Sequence, residues 1–360
     1  MLTIHDLHDA AAQCLPRMAY DYYASGAEGE HTLRDNEAAW QRRRLRPRAL
    51  VDVGTRDLST TVLGRRVAMP VLVAPTAFQR LAHPDGEVAT ARAVGAAGTV
   101  MTLSTLSNSL LEDVAAAHDA TRLTDAGGRW FQLYVYRDRG VTRALVERAE
   151  AAGYDAIVLT VDAPFFGRRL RDIRNGFVLP DGLTVANLVA GMGEVAAVRG
   201  TSGLSTYIAT MLDQTITWRD VEWLSTVTRL PVLVKGIVRG DDGARAADHG
   251  AAGVIVSNHG GRQLDTVVAT ADALPEVVDA VAGRAEVYVD GGVRHGTDVL
   301  KALALGARAA LVGRPVLWGL AVDGEAGVTR ALGMLRAELD LAMALAGAPT
   351  VAAVTRDLVA

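Results

Sequence analysis

The segment VSNHGGRQLD, at 256–265, carries side chains that could do acid–base chemistry. His259 and Arg262 lie three positions apart, with Gly260 and Gly261 between them, directly after an apolar run. An imidazole can take up a proton near neutral pH, and a guanidinium presents a planar fork that matches a carboxylate. The two glycines are expected to let the backbone turn without side chains that crowd a substrate. The motif predicts a site for a small carboxylate that carries a removable proton.

Eight short apolar runs must position this motif and whatever surrounds it. Their nearly continuous Val, Ile and Leu content is typical of strands buried on both faces of a parallel sheet. Ala-rich stretches such as 85–98 and 143–153 separate most of them and end in Gly, as helices commonly do. This alternation predicts a (β/α)8 barrel, with a doubly wound sheet as the alternative. The runs are 70–75, 99–105, 130–135, 156–162, 231–236, 253–258, 286–291 and 309–314.

Two regions do not fit the repeat. Residues 1–65 precede the first run and are expected to be helical and then loop-like. Residues 165–217 are far too long for an ordinary strand-to-helix connection and are predicted to form a lid over the barrel mouth. The whole chain, 1–360, is expected to form one domain.

Polar side chains follow every apolar run, at the barrel end where active sites of such folds lie. This pattern predicts a site for a large polar ligand. Asp162 is a candidate carboxylate partner for the imidazole, since it could stabilise the imidazolium that forms on proton uptake. The first run ends in Pro75, Thr76 and Ala77, and the polar groups after the other runs include Ser104, Gln132, Tyr134, Thr160, Asp162, Lys235, Ser257, His259, Asp290, Arg294 and Arg314.

The loops after the seventh and eighth runs resemble an anion cradle. They contain Gly291, Gly292 and Arg294 in one case, and Gly313 and Arg314 in the other. Glycines let backbone N–H groups approach phosphate oxygens, and arginine adds charge-assisted hydrogen bonds. Barrel enzymes commonly hold phosphate at these two strands, so a phosphate monoester is the predicted ligand.

Lys235 allows two functional interpretations. It could form a Schiff base, as in an aldolase, or place a fixed positive charge beside a cofactor that becomes anionic. A lysine that extends to solvent from a strand end is the non-functional alternative. The surrounding sequence does not decide among them.

Composition narrows the class of protein. There are 37 Lys and Arg against 41 Asp and Glu, which gives no reason to expect nucleic acid or an anionic membrane as a partner. Cys14 is the only cysteine, which fits a reducing compartment, and no stretch of 18 apolar residues or secretory signal is present. We therefore expect a cytoplasmic enzyme, and no metal site is predicted.

Taken together, these motifs resemble the FMN-dependent 2-hydroxy acid oxidases and dehydrogenases, a family that includes glycolate oxidase, long-chain hydroxy acid oxidase and hydroxymandelate oxidase. The similarity runs over nearly the whole chain, in order. The motifs that carry it are SNHGGRQLD, DGGVRHGTDVLKALALGA, GRP, YDYYASGAEGE, APTAFQRLAHPDGE, FQLYV and LTVDAP.

The resemblance implies a role for each matching residue around the substrate. His259 would be the base that removes a proton while a hydride reaches the flavin, and Asp162 would orient it. Arg262 and Tyr22 would hold the substrate carboxylate, with Arg169 assisting from the lid side. Tyr134 would hydrogen-bond the substrate hydroxyl.

The resemblance also implies the cofactor and its contacts. Lys235 would lie near the flavin pyrimidine ring and stabilise the reduced anion, which favours the fixed-charge interpretation. Ala77, Ser104, Gln132 and Thr160 would contact the isoalloxazine ring, and the further cofactor-binding candidates are Pro75, Thr76 and Ser257. The ribityl chain and phosphate would be held by Asp290, Gly291, Gly292, Arg294, Gly313 and Arg314.

One departure from the family pattern concerns the substrate. Leu106 stands where glycolate oxidase carries a Trp, which should open the pocket, and Phe165 and Phe166 resemble the hydroxymandelate oxidase segment. The expected reaction is oxidation of a medium-chain or aromatic L-2-hydroxy acid by O2, giving H2O2, in a homotetramer. The alternatives are the same half-reaction with a quinone or protein acceptor, and a flavin-free Schiff-base aldolase.

Overall fold

A computed structural model describes residues 1–188 and 211–360. Three helices precede the sheet: α1 (Ile4–Cys14), α2 (Arg17–Ala24) and α3 (His31–Arg42). A short antiparallel hairpin follows, formed by β1 (Thr60–Val62) and β2 (Arg65–Val67). The helical part of the N-terminal extension is confirmed, whereas no strand was predicted where the hairpin lies.

Eight parallel strands close into a barrel in which strands that follow each other along the chain are neighbours and the last strand pairs with the first. All eight predicted runs form these strands, so the (β/α)8 prediction is confirmed and the doubly wound sheet is wrong. The strands are β3 (Val71–Val73), β4 (Val100–Leu103), β5 (Gly128–Leu133), β6 (Ala156–Thr160), β7 (Val232–Ile237), β8 (Gly253–Val256), β9 (Glu286–Val289) and β10 (Ala310–Val312).

Helices surround the barrel and cover the outward-facing side chains of its strands. Asp138 caps the amino terminus of one of them by accepting a hydrogen bond from Gly140, and Gly98 ends another in a left-handed conformation. The helices are α4 (Gly86–Ala97), α5 (Leu111–Asp119), α6 (Arg139–Ala151), α7 (Leu170–Arg174), α8 (Trp218–Val227), α9 (Gly240–Asp248), α10 (Thr270–Val281), α11 (Gly296–Ala304) and α12 (Arg314–Ala346). Single 3-10 turns lie at Gln79–Leu81, Val351–Ala353 and Arg356–Leu358.

The amino-terminal end of the barrel is filled with apolar side chains. Inward-facing residues, including Trp130 and Tyr288, form one buried cluster with Val62 and Val67 of the hairpin. The Trp130 and Tyr288 rings meet edge to face at 5.3 Å. Because this end is closed, the carboxyl ends of the strands form the end of the barrel at which a ligand can enter.

The long insertion is described only in part. Residues 165–188 and 211–217 are described, and 189–210 of the predicted lid lie outside the described residues. Helix α7 belongs to the described part and packs against α2. Asn175 and Arg171 of this region bind the buried Asp21 carboxylate of α2, so the start of the insertion is fixed to the N-terminal extension.

Candidate active site

A cavity opens at the carboxyl ends of the strands. Its empty space, counted with the open mouth, is about 980 Å³. Asp162 and Ser257 lie behind its wall, and the remaining predicted site residues line it. Those are Tyr22, Pro75, Thr76, Ala77, Ser104, Leu106, Gln132, Tyr134, Thr160, Arg169, Lys235, His259, Arg262, Asp290, Gly291, Gly292, Arg294, Gly313 and Arg314.

His259 and Asp162 form a hydrogen-bonded pair. The imidazole Nδ1 lies 2.8 Å from Asp162 Oδ1, which leaves Nε2 as the ring nitrogen available to the cavity. Burial lowers the pKa of His259, the nearby charges of Lys235 and Arg169 lower it further, and Asp162 opposes them. Burial opposes the charge of Asp162, but His259 and Lys235 outweigh it and lower the pKa of that carboxyl. The pair is therefore a neutral imidazole held by a carboxylate, which is the state that a general base requires.

The two glycines of the motif are needed for a reason that the sequence did not suggest. His259, Gly260 and Gly261 all have left-handed backbones, with φ of 58°, 63° and 76°. A Cβ on Gly261 would lie 2.6 Å from the backbone nitrogen of Leu33 in α3, and one on Gly260 would lie 2.9 Å from Arg314 Nη1. The glycines thus allow the backbone turn that the sequence predicted, and they also leave room for protein neighbours, which it did not predict.

Two arginines form a cationic wall. Arg262 donates from Nη1 to the carbonyls of Tyr22 and Ser25, at 2.6 and 3.0 Å, and its guanidinium lies 5.1 Å from the Tyr22 ring centroid. Arg169 lies 4.8 Å from the Phe166 ring centroid. Burial, and then the charge of Arg262, lowers the pKa of Arg169 to about 10. Within residues 1–188 and 211–360, no carboxylate forms an ion pair with Arg169 or Arg262, so this wall suits an anionic ligand.

Apolar and phenolic groups complete this part of the cavity. Burial raises the pKa of Tyr134, and the charge of Asp162 adds to it, so the phenol stays protonated and can donate a hydrogen bond. Leu106 is buried and lines the cavity. Phe166 also lines it, whereas Phe165 is 65% exposed and lies off the wall. Of the two phenylalanines that resemble the hydroxymandelate oxidase segment, Phe166 is therefore the one placed to contact a ligand in this cavity.

Lys235 is held by two groups. Its Nζ donates to Ser257 Oγ at 2.9 Å and lies 3.2 Å from Asp290 Oδ2. Burial alone would lower the pKa of Lys235, but the charges of Asp290 and Asp162 outweigh it and raise the pKa. A Schiff base requires a neutral amine, so the structure favours the fixed-charge interpretation.

The two glycine–arginine loops lie together at one end of the cavity. Gly291 and Gly292 have φ of 98° and 78°, and Arg314 opens α12 directly after Gly313. Arg294 pairs with Glu37 at 2.8 Å. Arg314 donates to three backbone carbonyls, at 2.8 to 3.0 Å. A helix amino terminus beside two half-buried guanidinium groups is a favourable site for a phosphate.

Unpaired polar atoms show what the middle of the cavity would accept. Gln132 Oε1 accepts from the Thr105 N–H at 3.1 Å and from Ser104 Oγ at 3.3 Å. Gln132 Nε2 and Thr160 Oγ1 are buried and have no partner in the described part of the chain. An unsatisfied buried group costs about 1–3 kcal/mol, so both atoms indicate a ligand with complementary polar edges. A flavin mononucleotide, with its polar ring and terminal phosphate, fits this set of residues.

Several wall residues were not found from the sequence. Most are apolar and lie within or beside the predicted motifs, so no polar signal marked them. Tyr23 is the exception: it follows Tyr22 directly and donates its hydroxyl to the Phe78 carbonyl at 2.6 Å. The others are Ala74, Val293, Leu311, Val312 and Leu317.

Comparison with known proteins agrees with the fit to a flavin. Residues 11–360 match the family model described as FMN-dependent dehydrogenase. Glycolate oxidase 1 of Zea mays is 56% identical over 349 residues, which cover 96% of this chain and 92% of that protein. L-lactate oxidase of Nostoc sp. is 54% identical over 347 residues, which cover 96% of this chain and 94% of that protein.

A solved structure shows the same fold with a related ligand. The crystal structure of mandelate oxidase with (S)-4-hydroxymandelic acid superposes with a TM-score of 0.93. The two chains are 46% identical, and the match covers 99% of this chain and 98% of that one. Glycolate, lactate and mandelate are all 2-hydroxy acids. The chain belongs to the FMN-dependent dehydrogenase family, and its cofactor is FMN.

Proposed function

We propose that the protein oxidises an L-2-hydroxy acid to the 2-oxo acid with O2 as the acceptor, giving H2O2. The observation that carries the proposal is one cavity with a neutral, carboxylate-held His259 beside the Arg169 and Arg262 cations, which no described carboxylate pairs. A proton acceptor and an anion site at one place suit a small carboxylic acid with a dissociable proton.

Each residue contributes a separate step. Arg262 and Arg169 bind the substrate carboxylate, and Tyr134 donates a hydrogen bond to the substrate hydroxyl. His259 takes the proton at Nε2, and Asp162 stabilises the imidazolium that results. FMN, when bound, supplies the acceptor for two electrons. Lys235 places a positive charge on the same wall, where it would favour an electron-rich ring.

The described start of the insertion would form part of the substrate site. Phe166 and Arg169 line the cavity from this segment, and Phe177 stacks on Tyr22 at a centroid distance of 4.5 Å. We propose that the insertion serves as the cover of the substrate site. A proteolytic cut within it should raise KM with little effect on the FMN content.

Leu106 and Phe166 favour a medium-chain or aromatic substrate. Both are apolar and line the cavity, and the mandelate oxidase with a hydroxymandelate ligand is a close structural relative. The test is a steady-state comparison of mandelate, 2-hydroxyoctanoate, lactate and glycolate. Mandelate or 2-hydroxyoctanoate should give the highest kcat/KM, and glycolate as the best substrate would overturn the assignment.

The electron acceptor is a separate question. A quinone or a second protein is the alternative to O2, and no described helix is long and apolar enough to cross a membrane. Purified protein with substrate in air should form H2O2 at the rate of substrate loss, with no acceptor added. Substrate oxidation that requires an added quinone would instead identify a dehydrogenase.

We propose a homotetramer that acts in the cytoplasm, in keeping with the family resemblance and the single cysteine. Light scattering on the holoenzyme should give four times the mass of the 38.0 kDa chain.

The aldolase alternative predicts covalent trapping of Lys235 by borohydride and substrate. The Lys235–Asp290 ion pair argues against it.

A further inference from the structure

Ser257 lies at the centre of a buried network behind the cavity. Its hydroxyl donates to Asp290 Oδ1 at 2.7 Å and accepts from Lys235 Nζ at 2.9 Å and the His259 N–H at 3.1 Å. A hydroxyl has one donor and two acceptor positions, so the protein itself saturates this group. Ser257 therefore has no hydrogen bond left to offer a cofactor.

Counting the hydrogen-bond donors of Lys235 in the same way shows what its ammonium can offer a ligand. An ammonium has three N–H donors, and Ser257 and Asp290 account for two of them. The third is left for the cavity, which Lys235 lines. Ser257 and Asp290 thus fix both the direction of the free N–H and the position of the charge.

The choice of lysine at this position is informative. Only Lys235 and Lys301 are lysines among the 37 basic residues of the chain, and all the others are arginines. Lysine is a compact point charge that can lose its proton when buried, whereas arginine stays charged in nearly any environment. A buried lysine at a charge-dependent site needs a neighbour that keeps it protonated.

We propose that Asp290 and Ser257 are positioning residues that keep Lys235 protonated and aimed at the flavin through the pH range of turnover, and so set the reduction potential of the bound FMN. The proposal rests on the proposed function, in which the positive charge of Lys235 favours the reduced flavin. It assigns Asp290 to Lys235 instead of to the ribityl chain.

The charges around Lys235 support this assignment. Asp290 faces it from the end of β9 and Asp162 from the end of β6, while His259 follows β8. Burial works against the ammonium, and Asp290 provides the largest effect that raises the pKa of Lys235. Without Asp290, Asp162 would be the remaining carboxylate among these groups, so the amine should lose its proton at lower pH.

Competitive acetylation tests the charge directly. Trace acetic anhydride labels neutral amines, and mass spectrometry of the apoprotein at pH 6 to 11 gives a half-labelling pH for each lysine. Asp290→Asn should lower the half-labelling pH of Lys235 by at least one unit. Lys301, whose Nζ donates to the Trp40 carbonyl, serves as the internal reference and should not move. An unchanged value for Lys235 would overturn the proposal.

Matched variants separate charge from folding. Asp155→Asn removes a carboxylate at the closed end of the barrel, where Asp155 pairs with Arg65, and should leave the Lys235 profile unchanged. Asp290→Glu retains the carboxylate and should restore it. If Asp290→Asn fails to fold, Ser257→Ala is the substitute variant. It should broaden the curve of Lys235 acetylation against pH or lower its half-labelling pH, and an unaltered curve in Ser257→Ala would count against the network.

The reduction potential of bound FMN provides the second measurement. In Asp290→Asn the plot of potential against pH should gain a step between pH 6 and 9, which the parent and Asp290→Glu lack. Lys235→Met should lower the potential across the whole range. If Lys235→Met changes nothing, the proposed role of Lys235 fails. If it lowers the potential but Asp290→Asn follows the parent at every pH, only the Asp290 assignment fails.

Discussion

At the scale of single residues, the cavity maintains opposite charge states in neighbouring side chains. Burial keeps the His259 imidazole neutral, while Asp290 and Asp162 keep the Lys235 amine charged against the same burial. Asp162 affects both groups, since it binds the imidazole and lies within the field of the ammonium. The chemistry therefore depends on buried carboxylates as much as on the groups that would contact substrate.

Asp162→Asn tests this dependence. Without the carboxylate, nothing opposes the burial that lowers the pKa of His259, so that pKa should fall further. The acid limb of the kcat/KM profile should move to lower pH, and the plateau should fall by about 10²- to 10⁴-fold because the imidazolium loses its partner. Stopped-flow reduction of the flavin at pH 5 to 9 measures both effects. A lower plateau with an unmoved acid limb would show that Asp162 acts only on folding.

Arg262→Lys tests the anion site. The planar guanidinium donates to two backbone carbonyls and stacks on Tyr22 while still facing the cavity, and an ammonium cannot do all three. A lost charged hydrogen bond costs about 1.5–3 kcal/mol, so kcat/KM should fall about 10- to 100-fold. Arg168→Lys is the matched control, because Arg168 is 66% exposed and lies 3.7 Å from Glu28. Equal losses in both variants would contradict the assignment.

At the scale of elements, the strands could be predicted from the sequence, whereas the contacts between segments far apart in the chain could not. Apolar runs and chain order suffice for the barrel and its active end, since both follow from local patterns. The contact between Leu33 and Gly261 joins residues 228 positions apart, and no local pattern encodes it. The hairpin at 60–67 was missed because each of its strands, TTV and RRV, contains a single apolar residue and so forms no apolar run.

Helix α3 packs directly against the loop that carries the motif glycines. Asn36 of α3 exchanges two hydrogen bonds with Asn258, at 2.9 and 2.8 Å, and this contact holds α3 against the loop after β8. The catalytic loop and the N-terminal extension therefore pack as one unit. Glycine is required at position 261 because a side chain there would overlap the backbone of α3 at Leu33.

Gly261→Ala should expose this packing. Both Gly261 and Gly283 have left-handed backbones, with φ of 76° and 75°, so alanine costs about 1–2 kcal/mol at either position. Only at Gly261 would the new Cβ meet backbone, whereas nothing lies within 4 Å at Gly283. Overpacking should add a further 1–3 kcal/mol or so. Urea unfolding of both variants gives the difference, and equal destabilisation would refute close packing as the cause.

At the scale of the whole molecule, one end of the barrel is built to bind a ligand and the other is packed for stability. The open end keeps unpaired polar atoms and buried cations for a ligand. The closed end is packed with Trp130 and Tyr288 and surrounded by ion pairs such as Arg129 with Asp119. Stability should therefore respond to changes at the closed end that leave the cavity untouched.

His118 provides the test of that separation. It is fully buried in α5, and its Nδ1 lies 3.1 Å from Arg129 Nη1. Burial, and then the charge of Arg129, lowers the pKa of His118 to about 4. Below the ordinary histidine pKa near 6.5, His118 is protonated in the unfolded chain but stays neutral in the folded chain. This difference lowers the free energy of unfolding as the pH decreases from 6.5 towards 4.

The expected size follows from the same linkage. Between pH 7.5 and pH 5, the parent should lose about 2 kcal/mol more unfolding free energy than His118→Gln, since each pH unit below 6.5 costs about 1.4 kcal/mol. Other titrating groups are common to both proteins and cancel in the comparison. The kcat/KM profile of the variant should match the parent, because His118 lies at the far end of the barrel from the cavity. Parallel stability curves would mean that the folded protein accommodates a charged His118, and a shifted activity profile would mean that the two ends are coupled.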